Sequence, residues 1–503
     1  MSTPEENPDG LASAVEIIAP VARTGSPASV ASSASAVSTS TLPAGPSRTA
    51  APAVPAGIPG PRELAARVLG LAGPAVGEQL LFTAVQIAAL AMVSHLGAQA
   101  IAAVGVSNSI NWFFSSGFSA FGVGTTTLVA HFVGARDHQG AELAARQAVT
   151  VSFLLSFAVA TLGFAMAPAI LSFMGAEDDV LAPAIVYLRL LFAASVFSNL
   201  NLCFSAAMRG AGDTRTPMKI AFAGALVNVG IIWLLVYGRF GLPEMDVAGA
   251  GLAILVAGMV TSGVYLLTLT SGRFAVRLTW PGGRLRVDPG MIRRLLVIGV
   301  PSALEQLLMS GGMNAFARLI ISLGTTAYAA HQVATNITSV SFTSGFGFSL
   351  AAATLVGQSL GAKRPDLAEA YALMTRRLGV LVMGLLSVCF FFFGSSLMRI
   401  YTTDAAIIAM GAHILRLAAF AQPPMGSYSI LAGALRGAGD TRYPLYITFV
   451  GMWTLRVGAA YLMVLAFGLG LTGVWLAVNL DQWVRMFLVL RRIGTGKWKE
   501  IRV

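Results

Sequence analysis

Long apolar stretches recur along this chain with short polar interruptions. Leu80 to Val93, Val149 to Met166, Phe222 to Tyr237 and Gly379 to Phe393 carry no charged side chain at all. With their flanks each is long enough to cross a bilayer as a helix, and the alternating polarity of a membrane barrel is absent. The pattern predicts twelve spans, centred near residues 82, 117, 156, 194, 227, 259, 309, 344, 384, 420, 454 and 481. Residues 1–60 depart from it. They are rich in Ala, Ser, Pro and Thr, lack aromatic residues and cannot bury enough apolar surface to offset chain entropy, so they read as a disordered cytoplasmic tail. The acidic start at Glu5, Glu6 and Asp9 is unlike a secretory signal.

Composition agrees with a lipid environment. Of 503 residues, 56% are hydrophobic and 11% charged, and the mean hydropathy is +0.74, which leaves too little polar surface for a water-soluble globule. The net charge of +11 does not point to nucleic acid, because the basic residues fall in short loops between apolar spans. They act as topology signals. Arg273, Arg277, Arg284, Arg286, Arg293 and Arg294 face the single acid Asp288 after the sixth span, and loops of the same parity hold most of the remaining Arg and Lys. Both termini are therefore expected in the cytoplasm. The two cysteines, Cys203 and Cys389, lie inside apolar segments and imply neither a disulfide framework nor a metal site.

An internal duplication organises the rest. PAVGEQL from Pro74 matches PSALEQL from Pro301 at a shift of 227 residues, and the same shift superimposes Thr127 on Thr354, Gly134 on Gly361 and RGAGDTR at 209–215 on RGAGDTR at 436–442. Six spans per copy is an even number, so both copies enter the membrane alike. The predicted fold is an all-α membrane protein with twelve transmembrane helices in two six-helix bundles, related by a pseudo-two-fold along the membrane normal. The bundles cover 61–272 and 295–492, joined by a basic cytoplasmic linker at 273–294 and followed by a cytoplasmic tail at 493–503. In each RGAGDTR loop, Gly210 and Gly212, or Gly437 and Gly439, allow a sharp turn, while Asp213 and Asp440 can cap the helix that follows. The Lys and Ser or Thr of a phosphate-binding loop are missing.

The paired RGAGDTR loops, the PAVGEQL and PSALEQL openings, LGTTAYAAHQVATNI at 323–337 and LVGQSLGAKRPDLA at 355–368 resemble the multidrug and toxic compound extrusion family. The resemblance covers about residues 62–500 and implies two helical bundles that export organic, often cationic, compounds in exchange for inward Na⁺ or H⁺. It implies no cofactor beyond that cation, small organic molecules and membrane lipid as partners, no nucleic acid, and a monomer in a bacterial plasma membrane. An enzyme is not expected, since no HExxH or GxSxG segment occurs. A flippase for a lipid-linked precursor, of similar fold, is the alternative; it would need a long basic cavity, and the spans hold few cations.

Glu78 and Glu305, each four residues past a repeated proline, are the principal candidates for the coupling-ion or substrate site. A carboxylate in lipid is costly and normally faces protein or a wet cavity, and desolvation favours its neutral form, so it can exchange a proton or bind a cation as its hydration changes. The bland reading is that each acid only fixes helix packing. Gln79 and Gln306 beside them are expected to bond across helices. Many relatives carry an Asp seven residues before the LG seen here as Leu96 and Gly97, and an Asp four residues after an Asn in the fifth span. This chain has Ala89 and, after Asn228, Ile232. Asn228 therefore survives from an acidic site that is not intact. Arg318 is expected to balance Glu305 across the cavity or to form a structural pair, Asp481 and Arg485 to pair along one helix, and His331 to be a structural or relay histidine.

Overall fold

The computed structural model describes residues 57–174, 178–238, 244–272, 278, 287–501 and 503. Nearly all of the predicted amino-terminal tail, and Arg273, Arg277, Arg284 and Arg286 of the linker, lie outside the described residues. Among the described residues there is no strand. The helices are α1 (Pro61–Ser94), α2 (Ala98–Gly134), α3 (His138–Phe173), α4 (Asp178–Gly210), α5 (Arg215–Val236), α6 (Asp246–Thr270), α7 (Pro289–Ile321), α8 (Thr325–Gly361), α9 (Pro365–Arg399), α10 (Ala405–Gly437), α11 (Arg442–Phe449), α12 (Ala459–Leu465) and α13 (Gly470–Gly494). The π-helical turns Val450–Gly458 join α11 to α12 as one span. The helices thus make twelve spans, and each predicted centre falls inside one.

Ten spans are individually long and apolar enough to cross a membrane. The other two, α2 and α13, carry buried polar groups, among them Thr125, Thr126 and Thr127 in α2 and Asp481 and Arg485 in α13. Arg293 and Arg294 belong to the opening turns of α7, not to the linker. Asp288 starts that helix by accepting from Met291 N at 3.1 Å. Gly97 and Gly324, equivalent under the repeat, lead into α2 and α8 with φ of 97° and 101°, a left-handed conformation that glycine adopts without strain.

The duplication is visible in the packing: α1 lies on α8 as α7 lies on α2, and α4 holds α2, α3 and α6 as α10 holds α8, α9 and α13. The first helix of each repeat also crosses over. Before its proline, α1 places Leu64, Val68 and Ala72 in a core built from α8, α9, α10 and α13. After Pro74 it joins its own half, with Ala89, Met92 and Val93 among residues of α2, α4, α5 and α6. Likewise Met291, Leu295 and Ile298 of α7 lie in the amino-terminal core, whereas Phe316, Leu319 and Ile320 lie in the carboxy-terminal one. A proline inside a helix removes one backbone hydrogen bond and bends the axis, which suits a helix that must change partners midway.

Two of the five hydrophobic cores therefore span both halves, and both lie toward the RGAGDTR end. The other three, farther from that end, are each built from one half alone. The apolar packing shared by the halves thus lies toward the RGAGDTR end.

Candidate functional site

Glycine sets how closely the halves approach at the joined end. A Cβ added at Gly134 would stand 2.0 Å from the Gln358 carbonyl oxygen, and one at Gly361 would stand 2.0 Å from that of His131. Within each half the packing is also close: a Cβ at Gly437 would stand 2.2 Å from the Ala353 carbonyl oxygen, and one at Gly210 2.8 Å from that of Thr126. Four reciprocal hydrogen bonds close the seam. Thr127 Oγ1 donates to the Arg436 carbonyl at 2.9 Å, and its repeat mate Thr354 donates to the Arg209 carbonyl at 3.1 Å. Gln358 Nε2 donates to the Gly210 carbonyl at 2.9 Å, and the equivalent His131 Nε2 lies 3.0 Å from the Gly437 carbonyl. Because a carbonyl can only accept, the His131 proton sits on Nε2.

The two candidate carboxylates stand one helical turn past the crossover prolines, and both meet an arginine of the RGAGDTR loops. Glu78 Oε1 accepts from Arg209 Nη1 at 3.2 Å and from Ser205 Oγ at 3.1 Å. Glu305, only 5% exposed, is more enclosed. Its Oε1 accepts from Arg436 Nη2 at 2.8 Å, Thr448 Oγ1 at 3.0 Å and Tyr428 OH at 3.3 Å, and its Oε2 accepts from Arg436 Nε at 3.3 Å. Four donors from α10 and α11 thus hold one acid of α7. Such charge-assisted bonds are about twice as strong as neutral ones.

Beyond Tyr428 lies a second group of buried charges, which among the described residues has no counterpart in the amino-terminal half. The Arg485 guanidinium lies 5.4 Å from the centre of the Tyr428 ring. It also pairs with Asp481, which is wholly buried and has Arg456 Nη2 at 2.8 Å from its other oxygen. The π turns make room for this group. A Cβ at Gly451 would meet both Arg485 Nε and Asp481 Oδ1 at 2.4 Å. Three guanidiniums, Arg436, Arg456 and Arg485, face two carboxylates, Glu305 and Asp481, inside a hydrophobic bundle. Asp481 and Arg485 pair as their four-residue spacing suggests, and Arg456 joins them.

Other sequence candidates fall elsewhere. Arg318 is exposed in the last turn of α7, thirteen residues and roughly 20 Å of helix rise from Glu305, so Arg436 rather than Arg318 neutralises that acid. Neither Gln79 nor Gln306 forms a side-chain hydrogen bond across helices among the described residues; Gln306 is exposed, about 100° round the helix from Glu305. Asn228 is buried on α5, and Ala89 and Ile232 lie in an apolar cluster, so the amino-terminal acid of the resembling family has no counterpart there. His331 is buried between the rings of Phe316 and Trp475, with Nε2 3.4 Å from Thr335 Oγ1. Asp213 caps α5 as expected, accepting from Arg215 N and Thr216 N at 3.0 Å. Asp440 instead binds Arg492 Nε at 2.7 Å, because α13 and the chain end lie over that loop.

Sequence reasoning did not single out Arg209, Arg436, Tyr428 or Thr448. A signal for the arginines was present. Glu78 to Arg209 and Glu305 to Arg436 are both separated by 131 residues, a coincidence that the duplication alone produces only if both members of the pair are retained.

Two like-oriented helical bundles, joined at one end and enclosing paired acids and bases, define a polytopic membrane transporter. The MatE family model matches residues 74–234 and 301–462, one match per repeat. The chain belongs to the multidrug and toxic compound extrusion family of efflux transporters, which are not enzymes. It is 30% identical over 439 residues to a probable multidrug resistance protein NorM of Thermotoga maritima, covering 87% of this chain and 94% of that one. It is 27% identical to the multidrug resistance protein PmpM of Pseudomonas aeruginosa, covering 78% and 83%. In fold it is similar to a MOP superfamily transporter from Pyrococcus furiosus, with TM-score 0.81, 23% identity and coverage of 88% and 98%. It is also similar to an outward-facing multidrug resistance MATE family transporter, with TM-score 0.79, 24% identity and coverage of 86% and 97%.

Proposed function

We propose that this protein is a monomeric antiporter of the bacterial plasma membrane that exports organic cations in exchange for an inward-moving cation, with Glu78 and Glu305 as the coupling carboxylates. Drug export is supported by the relatives' names, which say multidrug resistance, and the cationic class by acids that a cation can compete for. The charge of the loops supports placing the RGAGDTR end and both termini in the cytoplasm, so that the described state is closed inward. No cofactor beyond the coupling cation enters the reading.

The observation that carries the proposal is the repeated Glu–Arg pair at the crossover of α1 and α7. Breaking one partner of a buried pair costs about 3–5 kcal/mol, so a cation that neutralises the acid has leverage over the packing around its arginine. Among Na⁺ and H⁺ the pairing favours the proton. A proton adds to the carboxylate without needing a coordination shell, whereas a metal ion would have to sit beside a guanidinium 2.8 Å from Glu305 Oε1.

Transport in sealed vesicles tests this. A pH gradient, and not a Na⁺ gradient of equal size, is expected to drive uptake of organic cations into inverted vesicles, and Glu305→Gln or Glu78→Gln to reduce it at unchanged membrane abundance. Undiminished transport by the double variant rejects the assignment.

A further inference from the structure

We propose that Arg209 and Arg436 are positioning residues that connect each carboxylate to the seal between the halves, an inference that rests on Glu78 and Glu305 being the coupling acids. Each arginine is bound at both ends. Its guanidinium holds the acid of its own half, while its main-chain carbonyl accepts a hydrogen bond from a threonine of the other half. Arg209 thus links Glu78 to Thr354, and Arg436 links Glu305 to Thr127. Both threonines are at most 1% exposed, so water does not replace the bond while the seam is shut.

The rest of the repeated heptapeptide serves this arrangement. Gly212 and Gly439, with φ of 91° and 87°, turn the chain so that their own N–H groups also donate to the Arg209 and Arg436 carbonyls, at 2.8 and 3.0 Å. The carbonyl is thereby aimed across the seam. Gly210 and Gly437 have no side chain to keep α2 or α8 of their own half away, and their carbonyls take the second cross-half bond, from Gln358 and His131. A motif that reads in sequence as a tight hairpin is therefore also the point where acid, base and seal converge.

The consequence is a mechanical one. When a cation neutralises the carboxylate, the guanidinium loses its partner in a site with no other described acid within pairing distance of it. It then gains by moving toward water, at the loop end of α4 or α10. That movement turns the residue whose carbonyl the opposite threonine holds, and the seal loosens. Because both halves carry the device, the two acids act on the same gate from opposite sides.

The test uses spin labels on the full chain in lipid vesicles, at Gln139→Cys and Asp366→Cys, with Cys389→Ser to remove the exposed native thiol. The labelled positions are exposed and equivalent, in the first turns of α3 and α9, and their separation reports opening at the RGAGDTR end. Thr127→Val with Thr354→Val removes both donors at nearly constant volume. The ratio of long to short separations is expected to rise roughly tenfold, the effect of two hydrogen bonds, and Thr→Ser at both sites to restore the original distribution. Glu305→Gln is expected to lengthen the distance in the wild-type background and to add less than about twofold in the valine background, because the connection is already cut. Unchanged distances in the valine variant, or full additivity of Glu305→Gln with it, overturn the inference while leaving the carboxylate assignment standing. Retention of full transport and wild-type distances by both Glu→Gln variants overturns the assignment, and the inference with it.

Discussion

Arg436 Nη2 stands 2.8 Å from Glu305 Oε1, and the arginine belongs to the loop motif that seals the two halves. Its repeat mate Arg209 holds Glu78 in the same way at 3.2 Å. Charge pairing within each half and closure between halves thus share two residues, and the following outcomes depend on that sharing.

Removing one member of the Glu305 pair is predicted to be worse than removing both. Arg436→Met leaves a buried, uncompensated carboxylate and is expected to lower stability by about 3–5 kcal/mol, whereas Arg436→Met with Glu305→Leu recovers most of that loss. Thermal unfolding of the purified protein, followed by the fraction remaining monodisperse, measures the difference. Equal losses in the single and double variants count against an ion pair of this strength.

The glycine seam makes a prediction about volume. Gly361→Ala places a methyl group 2.0 Å from the His131 carbonyl, on backbone that cannot swing aside. It is expected to destabilise the closed end by roughly 1–3 kcal/mol, seen as faster labelling of a reporter cysteine at the seam. Gly384→Ala, with open space around it on α9, serves as the control and is expected to be neutral or slightly stabilising.

The buried charge group of α13 should be structural in the first instance. Asp481→Asn strands two guanidiniums, Arg456 and Arg485, and is expected to reduce stability by about 3 kcal/mol or more. Gly451→Ala, which crowds Asp481 and Arg485, should lower stability without altering charge. Thermal unfolding of both variants checks this; a variant Asp481→Asn as stable as the parent shows that the group is not holding α13 in place.

Reciprocity of the cross-half bonds yields a fourth expectation. His131→Gln supplies the amide that Gln358 already uses at the equivalent site, and it is expected to preserve both stability and transport. His131→Leu leaves the Gly437 carbonyl without that donor and should weaken the closed state by about 1 kcal/mol, measured as a higher open fraction by labelling.

Much of this architecture is legible without coordinates. Hydropathy and the loop arginines locate the spans, because the partition of a helix into lipid depends on its own side chains and little else. The ungapped repeat identifies the two bundles, and the crossover prolines and the acids one turn beyond them are equivalent on sight. Even the bond between Asp481 and Arg485 follows from four-residue spacing on one helix.

What the tertiary structure alone decided is which groups meet between helices. Arg318 shares a helix with Glu305, yet the rise of α7 carries it away, and the partner comes from 131 residues downstream. Gln306 adjoins Glu305 in sequence and still faces outward, because one step along a helix is a large rotation about its axis. The seal itself depends on carbonyl oxygens and absent side chains, which have no sequence signature beyond a glycine. Local energetics settle each helix, whereas the rotation and crossing of packed helices choose the neighbours across the gap between them.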